Sequence, residues 1–435
     1  MKRRYDREYQ EIFEASINRT WLNREALHRY QSERLRAFLR IAATAPFWSN
    51  RFSDYGINIH ADDLFQEIAK LPILTKQEAR EHFAAIRPKV ISENDMHTCH
   101  TSGTTGSGLR FWETRRAEKE RWANWWRYRS WHGVTQDTWC GYFGGRSLVP
   151  LTQQKPPFWR YNRPARQLML SAYHLKPETA PQYIQVLRDR RIKWVHGYPS
   201  VLALLAGYTL DQKLDLGNAL ELITFGAESV LPQQKAIIER AFKVKMRQHY
   251  GQSEAVANIS ECEHGNLHVD EDYSFVEFLP IQDTLNSAKI IGTNWTNPAF
   301  PLIRYDVGDI AALTGETCSC GRTGRLVQEI DGRKEDYIVL PDGTHIGRLD
   351  HIFKDLINIR EAQIYQKNHK EIDIRVAIGT NYNKSDEDSL IHETRKRLGD
   401  KIQIKIVYLD QIPKNSAGKL RFIVSDLKNH LTQNN

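Results

Sequence analysis

The sequence predicts an α/β protein with a large, multi-layer N-terminal domain and a small α+β domain at the C-terminus. In the middle of the chain, short apolar segments that end at glycine, such as residues 194–197 and 222–226, alternate with helical segments. This alternation is typical of a largely parallel sheet covered by helices. Near the C-terminus, alternating segments at residues 371–378 and 401–409 flank one helical segment, which indicates a separate β-α-β unit.

The first third of the chain has helical periodicity. Leu35, Phe38, Leu39 and Ala42 recur at the spacing of one face of an amphipathic helix. Residues 75–78 read Thr-Lys-Gln-Glu, the pattern of a capping box that begins a further helix. We therefore expect helices to precede the first strands.

Capping residues predict the helix of the C-terminal part, and a charged stretch predicts where this part begins. Ser385 and Asp388 are expected to open the helix between the two strands, and Gly399 to close it. The charged stretch 333–336 favours a domain break at that point. We therefore predict a large domain over residues 1–334 and a small one over residues 335–435.

Composition excludes several classes of protein. The 435 residues are 40% hydrophobic and 26% charged, which is ordinary for a globular chain and unlike a disordered or fibrous one. Lys and Arg number 61 against 53 Asp and Glu, so the net charge is +8. Because the basic residues are interspersed with acidic ones, we expect an anionic small-molecule ligand and no nucleic acid.

Targeting signals and a disulfide framework are not expected. The basic N-terminal residues precede no apolar segment of the secretory type, and the longest apolar run is too short to span a bilayer. Five cysteines are too few for a disulfide scaffold, and their odd number leaves at least one thiol free. We expect a cytoplasmic protein without membrane insertion. A homodimer stays open.

Residues 101–108 read Thr-Ser-Gly-Thr-Thr-Gly-Ser-Gly, a loop suited to binding phosphate. Glycines let the backbone approach an anion closely, and the hydroxyls supply neutral hydrogen-bond donors. The loop lacks the Gly-Lys-Ser/Thr ending of a Walker A motif. Taken alone, the segment fits an ordinary solvated surface loop equally well.

Four later segments add chemistry to this loop. Residues 250–254 offer an aromatic ring and a carboxylate, and residues 304–309 end in an acid suited to a ribose diol. Residues 332–336 lie at the expected domain break. Residues 413–419 form a loop that presents a lysine near the C-terminus.

Taken together and in this order, these segments and the Gly-Ala-Glu-Ser stretch at 226–229 resemble the adenylate-forming superfamily of acyl-CoA synthetases, adenylation domains and luciferases. Residues 71–76, 198–200 and 318–322 are similar to its phenylacetate-CoA ligase branch, which includes CapK-type proteins. The resemblance extends from about residue 30 to residue 422, and six motifs in the expected order make it specific.

The resemblance implies an enzyme that joins a carboxylic acid to ATP, releases pyrophosphate and passes the acyl group to a thiol, with coenzyme A the expected acceptor. It implies Mg²⁺ as a cofactor and a small C-terminal domain that moves between the two steps. Two alternatives stay open. The acyl group could pass to a carrier protein, an amine or a sugar in a polysaccharide or natural-product pathway, or the chain could be a non-catalytic nucleotide-binding protein.

The resemblance also implies roles for individual residues. Lys419 is the expected catalytic lysine, with Arg333 beside the ribose and Glu335 at the hinge. By the same resemblance, the phosphates are expected to contact Ser102, Gly103, Thr104, Thr105 and Gly106, and the adenine and acyl pockets are expected to be lined by Gly226, Ala227 and Glu228. Tyr250 is expected to stack on the adenine ring, with Gly251, Gln252 and Ser253 beside it. Glu254 is the expected Mg²⁺ ligand, and Asp309 is expected to bind the ribose hydroxyls.

The chemistry is consistent with these roles. Attack of a carboxylate on a phosphate brings two anions together, so positive charge must be supplied where negative charge develops. A lysine on a separate domain can leave after the first step and let a thiol enter. Two departures from the usual pattern are Ser107, where many relatives carry lysine, and Glu335, where the hinge is often Asp or Lys.

Cys262, His268, Cys318 and Cys320 form a candidate structural zinc site. Three thiolates and an imidazole are a ligand set typical of closed zinc sites. His264 is an alternative to His268, and buried or loop cysteines without a metal are the alternative to a metal site.

Phe143, Gly144, His196 and Tyr198 are candidates for the substrate pocket, because glycine turns at strand ends border ligand crevices in open sheets. An aromatic or small hydrophobic carboxylic acid suits such a pocket. Five tryptophans lie nearby in sequence, between residues 122 and 139, and favour core packing over a ligand channel.

Overall fold

The computed structural model describes residues 5–100, 109–144, 148–150, 152–226, 230, 232–281, 286–331, 338–341, 345–346, 349, 352, 358–400, 402–413 and 420–429. The chain forms two compact units. The first comprises Met1–Thr135 and Gln248–Asp331, and the second comprises Gln136–Arg247 and Gly332–Asn435. The predicted boundary between residues 334 and 335 lies outside the described residues and stays a prediction.

Helices dominate the beginning of the chain, as predicted. The α-helices are α1 (Arg7–Arg19), α2 (Arg24–Ala42), α3 (Pro46–Asp54), α4 (Leu64–Ala69), α5 (Lys76–Glu81), α6 (Phe83–Ile86), α7 (Arg115–Ser130), α8 (Ala180–Asp189), α9 (Pro199–Asp211), α10 (Pro232–Phe242) and α11 (Lys384–Leu398). The four apolar residues that predicted α2 are all buried. Thr75 caps α5 by accepting a hydrogen bond from the Glu78 N–H at 3.1 Å, as the capping pattern predicted.

The strands begin after six of these helices. They are β1 (Met96–His100), β2 (Arg110–Thr114), β3 (Cys140–Gly144), β4 (Trp159–Asn162), β5 (Gln167–Ser171), β6 (Trp194–Gly197), β7 (Leu222–Phe225), β8 (Met246–Gly251), β9 (Asn258–Glu261), β10 (Leu267–Val269), β11 (Phe275–Pro280), β12 (Ser287–Thr293), β13 (Tyr305–Leu313), β14 (Leu326–Asp331), β15 (Ile338–Val339), β16 (His345–Ile346), β17 (Ile359–Asn368), β18 (Glu371–Ile378), β19 (Gln403–Tyr408) and β20 (Ile423–Ser425).

In the first unit, antiparallel strands follow the spatial order β11, β12, β13, β14, β10, β9 and β8. One core lies among Leu35, Trp48 and Phe300, and another lies among Ile259, Val269 and other apolar residues of the strands. Strands β1 and β2 pair as an antiparallel hairpin whose connection is the predicted phosphate loop at residues 101–108. The loop itself lies outside the described residues.

In the second unit, strands β7, β6, β3 and β5 are parallel neighbours, and β4 pairs antiparallel with β5 at the edge. Helix α9 is buried along nearly its whole length, including Leu202 and Leu205, and belongs to the same core as Phe143 and Ile223. A helix that is apolar all round suits such an interior position. The α/β class predicted from the alternating pattern is confirmed.

The C-terminal segment of the second unit has a sheet of its own, in the order β19, β18, β17 and β20, with a core around Ile364, Ile374 and Leu390. Strands β18 and β19 are parallel and flank α11, the predicted β-α-β unit. Helix α11 begins earlier than the sequence predicts, because Asn383 forms the capping box with Asp386.

Among the described residues, no helix combines the length and the apolar character that crossing a bilayer requires.

Candidate functional site

Tyr250 and Asp309 meet in the first unit. The Tyr250 hydroxyl donates a 2.6 Å hydrogen bond to Oδ2 of Asp309, and the Gln252 side-chain amide contacts the same hydroxyl. Burial, followed by the negative charge of Asp309, raises the pKa of Tyr250 well above its ordinary value, so the phenol stays a neutral donor. The structure therefore joins the segments at 250–254 and 304–309.

A bulge in β13 presents Asp309. Lys289 of β12 pairs with Ile310, but the next pair is Ile291 with Asp306, so three residues of β13 lie opposite one residue of β12. Gly308 adopts φ +79° within this bulge, and its N–H donates a 2.8 Å hydrogen bond to the Asp306 carboxylate. A bulge of this kind bends a strand and redirects its side chains. Glycine accommodates the left-handed conformation that the bulge requires.

Glu254 is only 9% exposed and lies in a segment that β12 and the following loop hold in place. The Asn294 side-chain amide donates a 3.1 Å hydrogen bond to the Glu254 carbonyl, and its oxygen accepts one from the Leu302 N–H at 2.8 Å. A Cβ placed on Gly292 would lie 2.0 Å from the Val256 carbonyl oxygen. Gly292 is therefore required for the 250–256 segment to approach β12 so closely.

Residues 71–76 support the start of β13. The Leu74 N–H donates to the Arg304 carbonyl at 2.9 Å, and the Asp306 N–H donates to the Leu74 carbonyl at 3.0 Å. Arg304 adopts φ +53°, forms an ion pair with Glu277 at 3.0 Å and donates to the Leu71 carbonyl at 2.5 Å. One of the segments that carries the narrower family resemblance thus positions the strand that bears Asp309.

Asn258 fixes the end of β8. Its amide lies 3.0 Å from Nε2 of His249 and also donates to the buried carboxylate of Asp270. A Cβ on Gly251 would lie 2.4 Å from the Asn258 side-chain oxygen, so glycine at this position allows Asn258 to pack against the strand. Sequence reasoning gave no role to Asn258, Gly292 or Asn294, because their contacts come from distant parts of the chain.

The second unit places three strand ends side by side. Phe143 of β3 lies beside Gly197 of β6, which lies beside Phe225 of β7, so the carboxyl ends of three parallel strands meet. Gly226 follows directly after β7. Ligand crevices of open α/β sheets lie at such ends.

Polar and aromatic side chains line this edge. The Thr224 hydroxyl is 2.8 Å from Nδ1 of His196 and accepts a 2.8 Å hydrogen bond from the Trp194 ring N–H. The half-buried ring of Tyr142 stacks on His196, with centroids 5.6 Å apart and an 18° interplanar angle. A Cβ on Gly144 would lie 2.5 Å from the Tyr142 ring, so Gly144 leaves room for this stack.

Two residues predicted for the substrate pocket, Phe143 and Tyr198, pack against the core. Phe143 is 1% exposed and stacks on Tyr183, so it packs within the core beneath the strand ends. Tyr198 is half-buried at the residue preceding α9 and packs against the same core. Tyr142 and His196 are half-buried and thus more accessible than Phe143, and the sequence did not single out Tyr142.

The four predicted metal ligands converge in the first unit. The ligand atoms of Cys262, His268, Cys318 and Cys320 all lie within 4.8 Å of one another. Burial raises the pKa of Cys262 to about 11 and lowers that of His268 to about 4. The pKa of Cys318 is lowered although burial opposes this, because the Cys320 N–H and the Asn266 amide donate to its sulfur. His264 instead hydrogen-bonds Ser319 at 2.9 Å, so the geometry favours His268 as the ligand.

Several predicted residues lie outside the described part of the chain, and their roles stay predictions. They are Ser102, Gly103, Thr104, Thr105, Gly106, Ala227, Glu228, Arg333, Glu335 and Lys419.

Known proteins resemble this chain in sequence and in fold. Residues 338–426 match the family described as the CapK C-terminal domain. The chain is 27% identical to protein CapK of Staphylococcus aureus over 372 residues, which cover 83% of this chain and 81% of CapK. It is 24% identical to phenylacetate-coenzyme A ligase of Thermus thermophilus, with 93% of this chain and 97% of that enzyme covered.

The fold is also that of a solved ligase. One similar crystal structure is that of 2-hydroxyisobutyryl-CoA ligase in the postadenylation state, in complex with 2-HIB-AMP. The match covers 95% of this chain and 93% of that ligase, with a TM-score of 0.71 and 18% sequence identity. The motifs, the fold and the sequence relatives agree. The chain is therefore similar in sequence to CapK and to a phenylacetate-coenzyme A ligase, and it shares the fold of a CoA ligase.

Proposed function

We propose that this protein activates a carboxylic acid as an acyl-adenylate and then transfers the acyl group to the thiol of coenzyme A. The observation that carries the proposal is the hydrogen-bonded pair of Tyr250 and Asp309, which lies beside Gln252 and near Glu254 in sequence. The sequence relatives named as phenylacetate-coenzyme A ligases support the same reaction.

The reaction has two steps. A carboxylate oxygen attacks the α-phosphorus of ATP, a new P–O bond forms, and the bond to the β-phosphate oxygen breaks to release pyrophosphate. The sulfur of the thiol then attacks the acyl carbonyl, a C–S bond forms, and AMP leaves with the electrons of the C–O bond. The thiol proton passes to solvent or to a base.

The described residues act on the nucleotide by position and charge. Asp309 offers carboxylate oxygens that accept hydrogen bonds, as the two hydroxyls of a ribose require. Tyr250 orients this carboxylate, and its ring offers a face on which an adenine can stack. The bulge at Gly308 fixes where Asp309 lies, so little reorganisation is needed when the nucleotide binds.

Glu254 fits the implied Mg²⁺. Its carboxylate is a hard oxygen ligand, and Mg²⁺ is typically bound through one or two carboxylates together with phosphate oxygens of the substrate. The Asn294 contact to its backbone holds the residue in place. Bound Mg²⁺ would neutralise charge on the phosphates of ATP. Lys419 is proposed to supply positive charge to the same reaction, with Arg333 near the ribose.

The strand-end cluster of Tyr142, His196 and Thr224 favours a flat or small hydrophobic acid, because two stacked rings and one hydroxyl offer apolar surface with few polar groups. Coenzyme A is the proposed acceptor. A carrier-protein thiol, an amine or a sugar is the second candidate acceptor, and the match of residues 338–426 to the CapK C-terminal domain is the observation that favours it. We place the protein in the cytoplasm and propose no nucleic-acid partner.

A panel of aromatic and short aliphatic acids tests the proposal. AMP and pyrophosphate are measured with Mg²⁺ and ATP, once with coenzyme A and once without it. We expect acid-dependent pyrophosphate exchange without coenzyme A and steady AMP release only with it. Exchange with no consumption of coenzyme A would favour another acceptor.

Asp309→Asn tests the proposed role of Asp309 in holding the nucleotide. We expect the variant to lose at least tenfold in kcat/KM for ATP, since a charged hydrogen-bond partner contributes about 1.5–3 kcal/mol. Asp54→Asn is the control, because Asp54 is an exposed residue at the end of α3. If wild type binds ATP but exchanges pyrophosphate with no acid of the panel, the non-catalytic nucleotide-binding alternative replaces the proposal.

A further inference from the structure

Two tight turns bring four soft ligands together in the first unit. Cys262 begins the turn that follows β9, and Gly265 closes that turn with φ +88° and a 2.9 Å hydrogen bond from its N–H to the Cys262 carbonyl. Cys318 and Cys320 lie in the connection between β13 and β14, and Gly321 follows them with φ +82°. His268 reaches the same point from β10 and is 2% exposed.

The separations match a single bound ion. Sγ of Cys262 lies 3.7 Å from Sγ of Cys318, and Sγ of Cys320 lies 3.3 Å from Nε2 of His268. Ligands at about 2.3 Å from a tetrahedral zinc would place two sulfurs about 3.8 Å apart. A disulfide would require about 2.05 Å, so the two cysteines are unbonded thiols.

We infer that Cys262, His268, Cys318 and Cys320 bind one zinc ion as a closed structural site. Three thiolates and an imidazole complete a tetrahedral shell, which leaves no position for substrate. Soft sulfur ligands in this number favour zinc over Mg²⁺ or Ca²⁺, which prefer oxygen.

The surroundings already support thiolate ligands. The Asn266 side-chain amide donates to Sγ of Cys318 at 3.1 Å, and the Cys320 N–H donates to it at 3.5 Å. Arg322 also holds this region in place, because it forms a 2.8 Å ion pair with Glu263 and lies over the Trp131 ring at 4.1 Å. Second-layer donors of this kind orient metal ligands and tune their basicity.

The position of the site suggests what the ion does. Strand β9, which precedes Cys262, pairs with β8 at Tyr250. The strand before Cys318 is β13, which carries Asp309. A zinc ion would therefore cross-link the supports of both residues of the nucleotide pair, and this consequence rests on the proposed function. Zinc would act on stability and nucleotide affinity without taking part in the chemistry.

Metal content is the first test. Protein purified without chelators from zinc-supplied cells is expected to hold one zinc per chain by elemental analysis. The matched variants are Cys318→Ser with Cys320→Ser, expected to lose the zinc, and Cys140→Ala, expected to keep it, because Cys140 is a buried cysteine of β3 outside the cluster. Wild type without stoichiometric zinc, or zinc retained by the double variant, would overturn the inference.

Cobalt substitution covers the case in which the double variant fails to fold. Wild-type protein loaded with Co²⁺ is expected to show strong visible bands of a tetrahedral ion and a thiolate charge-transfer band in the near ultraviolet. X-ray absorption on the zinc form is expected to fit three sulfurs at about 2.3 Å and one nitrogen at about 2.0 Å. An octahedral cobalt spectrum, or a shell of oxygen ligands, would contradict the assignment.

Removal of the ion tests its link to the nucleotide. A chelator is expected to expose three reactive thiols, lower the melting temperature and weaken AMP binding, and added zinc is expected to restore all three properties. A chain that holds zinc but performs no adenylation would overturn the proposed function and leave the metal site standing. Unchanged melting and AMP affinity after zinc removal would overturn the structural role.

Discussion

The hydroxyl of Tyr250 donates a hydrogen bond to the carboxylate of Asp309 at 2.6 Å, although the two residues are 59 positions apart in the chain. They lie on β8 and β13, which are not neighbours in their sheet. The bond therefore connects two segments that backbone pairing alone would leave separate. It is the described contact on which the proposed nucleotide site depends most directly.

Tyr250→Phe tests this contact. The variant keeps the ring and removes the hydroxyl, so Asp309 loses one donor and its orientation. We expect the KM for ATP to rise about 10-fold or more, since hydrogen bonds to charged groups contribute about 1.5–3 kcal/mol, and we expect little change in melting temperature. Steady-state kinetics at saturating acid measure the effect.

Tyr365→Phe is the matched control for that measurement. The Tyr365 hydroxyl also donates to an aspartate, Asp426, and the proposal gives neither of these two residues a role in nucleotide binding. Equal effects of the two variants on the KM for ATP would contradict a specific role for Tyr250.

Gly292→Ala tests the close approach of the 250–256 segment to β12. The new methyl group would overlap the Val256 carbonyl, whose oxygen lies 2.0 Å from the Cβ position. Such overpacking costs about 1–3 kcal/mol and would displace Glu254, so we expect a lower melting temperature together with weaker Mg²⁺-dependent activity.

Gly315→Ala provides the comparison, because no atom lies within 4 Å of the Cβ position of Gly315. We expect this variant to match wild type in both measurements. A Gly292→Ala protein that melts and reacts like the Gly315→Ala protein would show that the segment adjusts freely.

The acid stability of the first unit depends on Asp272. Burial alone would raise the pKa of this carboxyl, but the charges of Arg127 and Arg19 outweigh it and lower the pKa from 3.8 to about 2. The ionised group therefore stabilises the fold above about pH 4, and its contribution is lost as the pH falls towards 2. We expect the gap in unfolding free energy between wild type and Asp272→Asn to be on the order of 2 kcal/mol larger at pH 6 than at pH 2.

Denaturant unfolding across this pH range measures the gap. Asp54→Asn, which changes an exposed aspartate, is expected to follow wild type throughout. A gap between wild type and Asp272→Asn that does not change with pH would contradict an ion pair as the source of the stability.

Local signals predicted a large part of this molecule. The period of Leu35, Phe38 and Leu39 indicated α2, and the Thr75 pattern indicated the start of α5, because helix periodicity and capping depend on residues a few positions apart. The N-terminus of α11 was misplaced by two residues since Asn383 and Ser385 are both good caps, and only the reciprocal bond to Asp386 distinguishes them.

The residues of the candidate site that belong to sequence motifs could be predicted. The residues whose role depends on packing could not. Tyr250 and Asp309 stand in recognisable segments. Gly292 and Asn294 do not, because their importance comes from contacts with Val256 and Glu254 that only the folded chain creates.

Lys419→Ala tests the assignment that rests on resemblance alone. Removal of this positive charge is expected to reduce the rate of adenylate formation at least 100-fold and to leave AMP binding largely intact, since the lysine is proposed to act on the charge that develops in the transition state. Lys414→Ala, a change to a lysine five positions earlier, is the control. Equal losses in both variants would point to a general effect of charge in this loop.

Transfer of carboxylate oxygen to AMP tests the central claim most directly. The substrate acid is labelled with oxygen-18 in its carboxylate, and the AMP formed in the presence of ATP and coenzyme A is analysed by mass spectrometry. Attack of the carboxylate on the α-phosphorus predicts AMP that carries one labelled oxygen. AMP without the label, with the label in inorganic phosphate or retained in the acid, would contradict an acyl-adenylate and with it the proposed function.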